Sequence, residues 1–262
     1  MGAANALNGK IALVTGGGRG IGEACAVALA EAGADVIVCS RSSNEINIVA
    51  EKIGAMGRRA LAVVCDVTDA GQVRRMTEQV GSQFGVVEIL VNNAGLGRSH
   101  RFVDHPDELW DRMLAVNLTS VYHVTKAFVP KMIEMRHGRV INIASVMSKT
   151  GGKYVAAYTA AKHGVLGLTR ALAAELVGYN ITVNAVCPGY VNTPMTDENV
   201  ANIVAKTGMS ETEARGALER LSPQNRMIEP EEIAAMVVML ACDIAQGVNG
   251  QAINIDGGAI MF

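Results

Sequence analysis

Short runs of β-branched and aliphatic residues alternate with longer amphipathic stretches along the whole chain. Apolar runs near 10–15, 35–40, 60–65, 87–92, 138–144, 181–187 and 251–255 read as strands. Helical periodicity falls between them, near 20–33, 43–57, 69–84, 106–135, 154–178 and 230–242. Several strands, among them IALVT at 11–15 and VIVCS at 36–40, are apolar on consecutive positions. That is the pattern of a strand covered on both faces. Strand and helix alternating at this spacing imply right-handed crossovers, and hence a Rossmann-like, doubly wound, seven-stranded parallel sheet of the α/β class. Nothing in 1–262 reads as a linker or repeat, so one domain is expected. The rhythm breaks at 188–229, where Thr196–Lys206 and Ser210–Leu221 are helix-like and polar. An insertion there, ahead of the last helix and strand, is expected to form a small substrate lid.

Composition narrows the class. Half the residues are hydrophobic but only 4% are aromatic, so the core is built from aliphatic side chains and methionine. A net charge of −2 offers no electrostatic case for nucleic acid or a membrane surface as partner. Apolar runs such as Ala234–Cys242 reach about half the length of a bilayer span. The opening MGAANALNGK lacks a basic segment leading into an apolar stretch, so no secretory signal is expected. It begins Met-Gly, but Ala6 stands where a myristoylation signal wants Ser or Thr. Five scattered cysteines without a C-x-x-C suit reduced thiols in a cytoplasmic protein. The five histidines show no metal-ligand spacing, and no metal is assigned.

The first strand runs directly into Thr15-Gly16-Gly17-Gly18-Arg19-Gly20-Ile21-Gly22 and then a helix. Glycines let backbone turn tightly against a pyrophosphate, and the helix N-terminus offers free N–H groups and a positive dipole end. The spacing G-x-x-x-G-x-G departs from the common dinucleotide pattern G-x-G-x-x-G. NAD-binding proteins place an acid at the end of the second strand to hold the ribose 2′-hydroxyl. Here that strand ends Cys39-Ser40-Arg41, with no carboxylate to repel a 2′-phosphate. Arg41 and Arg19 can both pair with such a phosphate, which predicts NADP(H) over NAD(H). The alternative is that both are solvated surface arginines.

Tyr158 and Lys162 stand one helical turn apart and project from one face. Acid–base chemistry by such a pair needs a phenol that exchanges a proton near neutrality, although free tyrosine titrates at about 10. A nearby ammonium, with the positive charge of an oxidised nicotinamide, is expected to lower that value. Y-x-x-x-K alone says little, since Tyr122 and Lys126 repeat it. Only Tyr158 follows a strand ending Ile143-Ala144-Ser145, which puts a hydroxyl at the carboxyl edge of the sheet where ligands bind.

With these residues together the chain resembles a short-chain dehydrogenase/reductase over nearly its full length. Residues 15–22 resemble that family's T-G-x-x-x-G-x-G turn, and Asn92-Asn93-Ala94-Gly95 its N-N-A-G segment. The resemblance implies that Asp66 and Val67 contact the adenine. It also implies that Pro188, Gly189, Val191 and Thr193 cradle the nicotinamide carboxamide. Asn117, Ser145, Tyr158 and Lys162 fall where the family carries its catalytic tetrad. By the same resemblance Ser145 polarises the carbonyl and Tyr158 donates the proton. Lys162 holds the nicotinamide ribose, and Asn117 positions a water. A helix-breaking asparagine satisfied by backbone is the plainer reading of Asn117.

The chain is similar overall to 3-oxoacyl-(acyl-carrier-protein) reductases, and 180–195 looks like the same stretch of polyketide ketoreductases. The implied reaction is NADPH-dependent reduction of a 3-oxoacyl thioester, carried on acyl-carrier protein or CoA. A secondary-alcohol dehydrogenase and a noncatalytic NADP(H) sensor are the alternatives, the sensor having no use for Tyr158. Family habit implies a homotetramer pairing the helices near 106–135 and 154–178 and the last strand. Arg98–Arg101 and Arg136–Arg139 could meet an acidic carrier, or be solvated loop charge. Met147 and Met195 are expected near the pocket.

Overall fold

Seven strands, β1 (Ile11–Thr15), β2 (Asp35–Ser40), β3 (Ala60–Val64), β4 (Ile89–Asn92), β5 (Gly138–Ile143), β6 (Ile181–Pro188) and β7 (Ala252–Ile255), form one sheet. All pairings are parallel, in the order β3-β2-β1-β4-β5-β6-β7. The computed structural model describes residues 5–262, so the Met1–Ala4 part of the opening weighed above lies outside the described residues. Strand order reverses between β1 and β4, which opens a crevice at their carboxyl ends.

Consecutive apolar positions serve opposite faces. Ala12 and Val14 of β1 join one core with α1 (Gly20–Glu31), α2 (Ser43–Ala55) and α9 (Pro230–Ala241). Leu13 between them joins the other, with α3 (Ala70–Gln83), α5 (Ser120–Met135) and the end of α6 (Ala156–Leu176). Each fully buried aliphatic side chain of this kind stabilises by about 1.5–3 kcal/mol. The chain therefore gains nothing from polar alternation in these strands.

The periodicity over 106–135 reads as one helix, and the structure divides it. α4 (Asp107–Leu114) meets α5 through a π-turn, Ala115–Thr119. Asn117 supplies the reason. Its Nδ2 donates to the Met113 carbonyl four residues back at 3.0 Å and to the Leu96 carbonyl at 2.9 Å. A side chain competing for that i−4 carbonyl opens the helical ladder by one residue.

In 188–229 the two expected helices are present as α7 (Pro194–Thr207) and α8 (Glu211–Glu219). Ser210 and Glu213 cap α8 reciprocally, at 3.3 Å from the Glu213 N–H and 2.9 Å from the Ser210 N–H. Val200, Ala214, Leu218 and Met227 give the insertion a small core of its own.

The two basic stretches form no continuous patch. Arg139 is only 1% exposed, and donates to the carbonyls of Gly138 and Asn180 and to Asp243 Oδ1 at 2.9 Å. Arg136 donates to the Gly178 carbonyl, Arg98 pairs with Glu198 at 2.9 Å, and Arg101 pairs with Asp104. All five cysteines are free and buried, and burial pushes the Cys25 thiol up to about 12. Among the described residues no helix is long and apolar enough to cross a membrane, and no group of His, Cys, Asp and Glu could hold a metal.

Candidate active site

The glycine turn is shaped by contacts that leave no room for side chains. Gly16 and Gly20 take positive φ values of 62° and 55°. A Cβ on Gly22 would lie 2.1 Å from the Gly16 carbonyl oxygen. Thr15 Oγ1 accepts the N–H groups of Asn93 and Ala94, both at 3.0 Å. Asn93 Nδ2 donates back to the carbonyls of Thr15 and Gly16, at 3.0 and 3.1 Å. The β4 end is thereby tied to the turn, and Asn93, expected at the cofactor, spends its amide on that tie.

A cleft of about 350 Å³ runs along the carboxyl ends of the strands. Gly16, Arg19, Gly20, Ile21 and Gly22 line its floor. Ser40, Arg41, Asp66 and Val67 line one end, and Asn93, Ala94, Gly95 and Thr193 the other. Asp66 accepts hydrogen bonds from the N–H and hydroxyl of Thr68, at 3.0 and 2.7 Å. Burial works against its charge, but those bonds, Arg41 and Arg112 outweigh it and hold the carboxyl below the usual range. A glycine cradle at the N-terminus of α1 with two arginines beyond it fits a phosphorylated dinucleotide. Glu45 also belongs to this region and was not singled out in the sequence. Glu45 lies in the first turn of the helix that follows Arg41 and lines the cleft, an acid that a look one turn past the second strand could have flagged.

Pro188, Gly189 and Val191 do not line this cleft. Pro188 ends β6, the Gly189 N–H donates to the Ile255 carbonyl at 3.0 Å, and Val191 bridges Ile228. Thr193 starts α7, and its Cγ2 would lie 3.2 Å from a Cβ on Gly20. The insertion therefore begins against the glycine turn.

Ser145 follows β5 directly. Its Oγ accepts the Met147 N–H, and its own N–H donates to Ser148 Oγ, both at 3.1 Å, which fixes the residue in place. Lys162 is buried on α6, and its Nζ donates to the Ile143 carbonyl at 2.8 Å. That amine lies 5.7 Å from the Tyr158 ring centroid. Burial lowers the Lys162 ammonium to about 8. Burial also raises the Tyr158 phenol, the nearby Ser145 hydroxyl opposes the rise, and Tyr190 and Cys187 add to it. The expected lowering of the phenol by Lys162 is therefore not seen in the protein alone. Desolvation dominates, and the lysine bonds to backbone.

Both polar side-chain atoms of Asn117 bond to backbone. Besides its two donated bonds, its Oδ1 accepts the Leu96 N–H at 3.0 Å. A Cβ on Gly95 would lie 3.2 Å from that Oδ1 and 4.0 Å from Lys162 Nζ. Gly95 is thus where the cleft, the π-turn and the lysine meet. Tyr122 and Lys126 bond each other at 2.9 Å on the outer face of α5, with Tyr122 44% exposed. Tyr190, which sequence reasoning passed over, is close enough to act on Tyr158 electrostatically.

A parallel sheet presenting this turn beside a Ser–Tyr–Lys group defines an oxidoreductase acting between CH–OH and ketone groups with a nicotinamide cofactor. The short chain dehydrogenase profile matches residues 10–203, and the chain belongs to that family. It is 37% identical to 3-oxoacyl-[acyl-carrier-protein] reductase FabG of Thermotoga maritima, over 97% of this chain and 99% of that one. It is 37% identical to D-beta-hydroxybutyrate dehydrogenase of Cupriavidus necator, over 96% and 98%. Among solved structures, a variant actinorhodin polyketide ketoreductase with NADPH superposes with a TM-score of 0.93 at 37% identity, covering 98% of each chain.

Proposed function

We propose that the protein is an NADP(H)-dependent reductase of 3-oxoacyl thioesters, on acyl-carrier protein or CoA, giving the 3-hydroxyacyl product. The observation that carries this reading is the half-buried Tyr158, with Ser145 close enough to act on its phenol and the buried Lys162 Nζ 5.7 Å from its ring centroid. The three relatives above are named for different compounds, yet two of those names place oxygen on the third carbon of an acyl chain, and polyketides share that spacing. Arg19 and Arg41 support the 2′-phosphate form of the cofactor.

The cofactor would lie along the cleft, on Gly16–Gly22 with Asp66 and Val67 at the adenine, and it supplies the hydride. Ser145 and Tyr158 donate hydrogen bonds to the substrate carbonyl oxygen, where negative charge grows. Tyr158 releases its proton to that oxygen. Lys162 stabilises the phenolate left behind and returns a proton to it. Asn117 is a positioning residue: by clamping Leu96 to the π-turn it sets Gly95 against Lys162. Pro188, Gly189, Val191 and Thr193 would bracket the nicotinamide end. Residues 188–229 would close over the acyl chain, with Arg98 and Glu198 joining the 97–101 loop to α7.

Five free thiols suit a cytoplasmic setting. A homotetramer would cover the exposed Met261 and Phe262, and a monomer in light scattering would contradict it.

NADPH consumption with 3-oxoacyl thioesters, free 3-oxo acids and cyclic ketones tests the substrate. Turnover confined to cyclic ketones would replace this reading with the alcohol-dehydrogenase one. The pH profile tests the site. Reductive kcat/KM is expected to hold near neutrality and fall as pH rises through about 8, as Lys162 loses its proton. A limb displaced to about 10, the ordinary lysine value, would show that the buried amine does not govern the step.

A further inference from the structure

The corner of the cleft that would take the 2′-phosphate already holds a carboxylate. Glu45 lies in the first turn of α2 and lines the cleft together with Arg19, Ser40 and Arg41. Its Oε1 is 3.6 Å from Arg19 Nη1, with the two side chains 35% and 58% exposed. Glu45 is also packed hard against the glycine turn, since a Cβ on Gly18 would lie 2.8 Å from the Glu45 Cβ. Arg41 lines the same corner, exposed and without an ion pair among the described residues, and acts on Asp66 only at a distance. Of the two cations that would receive the phosphate, Arg19 therefore has an acid beside it.

A 2′-phosphate would bring a charge of about −1.5 to −2 into this corner. It would have to draw Arg19 from Glu45, or share it, while facing a carboxylate of like sign. A ribose 2′-hydroxyl asks for neither. We propose that Glu45 is a cofactor-selectivity residue that competes with the 2′-phosphate for Arg19 and so moderates the preference for NADP(H) over NAD(H). The inference rests on the NADP(H) reading above, but makes a separate claim about a residue that the strand-end rule overlooks. Because the pair is partly exposed, the effect is that of one surface ion pair, about two- to five-fold in affinity.

Binding of NADPH and NADH to the purified protein, by calorimetry and without substrate, reads the effect directly. Glu45→Gln is expected to tighten NADPH by about two- to five-fold, leave NADH unchanged, and lose most of the gain at high salt. In an Arg19→Gln background the same change should do nothing. Glu45→Asp, whose carboxylate reaches less far, should give a smaller gain in the same direction and stands in if the glutamine variant fails to fold. NADPH affinity unchanged or weakened in both Glu45 variants overturns the proposal. If Arg19→Gln and Arg41→Gln weaken NADPH selectively while the Glu45 variants do nothing, only this inference fails. If the arginine variants leave the NADPH to NADH ratio untouched, the NADP(H) reading fails with it.

Discussion

Replacing Tyr158 with Phe is expected to lower kcat roughly 10²–10⁴-fold while the dissociation constant for NADPH stays as in the parent protein. The ring remains, so its place near the Lys162 amine is kept and only the proton donor is lost. Ser145 is then left as the single hydroxyl at the carbonyl. Burial raises the Tyr158 phenol, so the group stays protonated near neutrality, which is the state a proton donor in reduction needs. The unfavourable step is forming the phenolate afterwards, and there the Lys162 charge matters. Because the lost contact acts as the carbonyl accepts hydride, kcat and kcat/KM should fall together. Near-normal turnover by single-turnover kinetics would remove Tyr158 from its assigned role.

Gly22→Ala is expected to abolish measurable NADPH binding and to destabilise the fold at the upper end of about 1–3 kcal/mol. The added carbon would lie 2.1 Å from the Gly16 carbonyl oxygen and 2.5 Å from Asn93 Nδ2. Neither neighbour is a flexible side-chain end that can swing away. The oxygen is backbone, and the amide is bonded to Thr15 and Gly16. Relief therefore moves the turn itself, and with it the N–H groups at the start of α1. Gly54→Ala is the control, because a Cβ there meets nothing within 4 Å. It should gain about 0.5–1 kcal/mol from helix entropy. Thermal melts and cofactor titrations of the two variants separate a local clash from a general effect of losing glycine. Parent-like NADPH affinity in Gly22→Ala would mean that the turn does not carry the pyrophosphate.

The sheet and most of its helices were legible because burial on two faces leaves consecutive apolar residues in a strand. Ser145, Tyr158 and Lys162 were legible for a related reason. A strand end followed by a helix puts them within a few residues of the same edge, and helical spacing aligns the last two. The π-turn at Ala115–Thr119 left no mark on the periodicity of 106–135, since it comes from the Asn117 amide bonding the Met113 carbonyl, an asparagine held in place by Leu96, a partner distant in sequence. Arg139 reads as surface charge beside Arg136, and only the approach of Asn180 and Asp243 buries it.

The residues by themselves determined the fold class, the glycine turn and the one-turn spacing of Tyr158 and Lys162, because each rests on local geometry or on a periodicity that short-range sterics enforce. Tertiary structure alone decided the electrostatic state of those groups. Burial sets the Lys162 ammonium at about 8 and raises the phenol, Asn117 is consumed by backbone, and Arg19 faces Glu45. Desolvation and through-space pairing depend on which elements come to rest against one another, and no spacing along the chain records that.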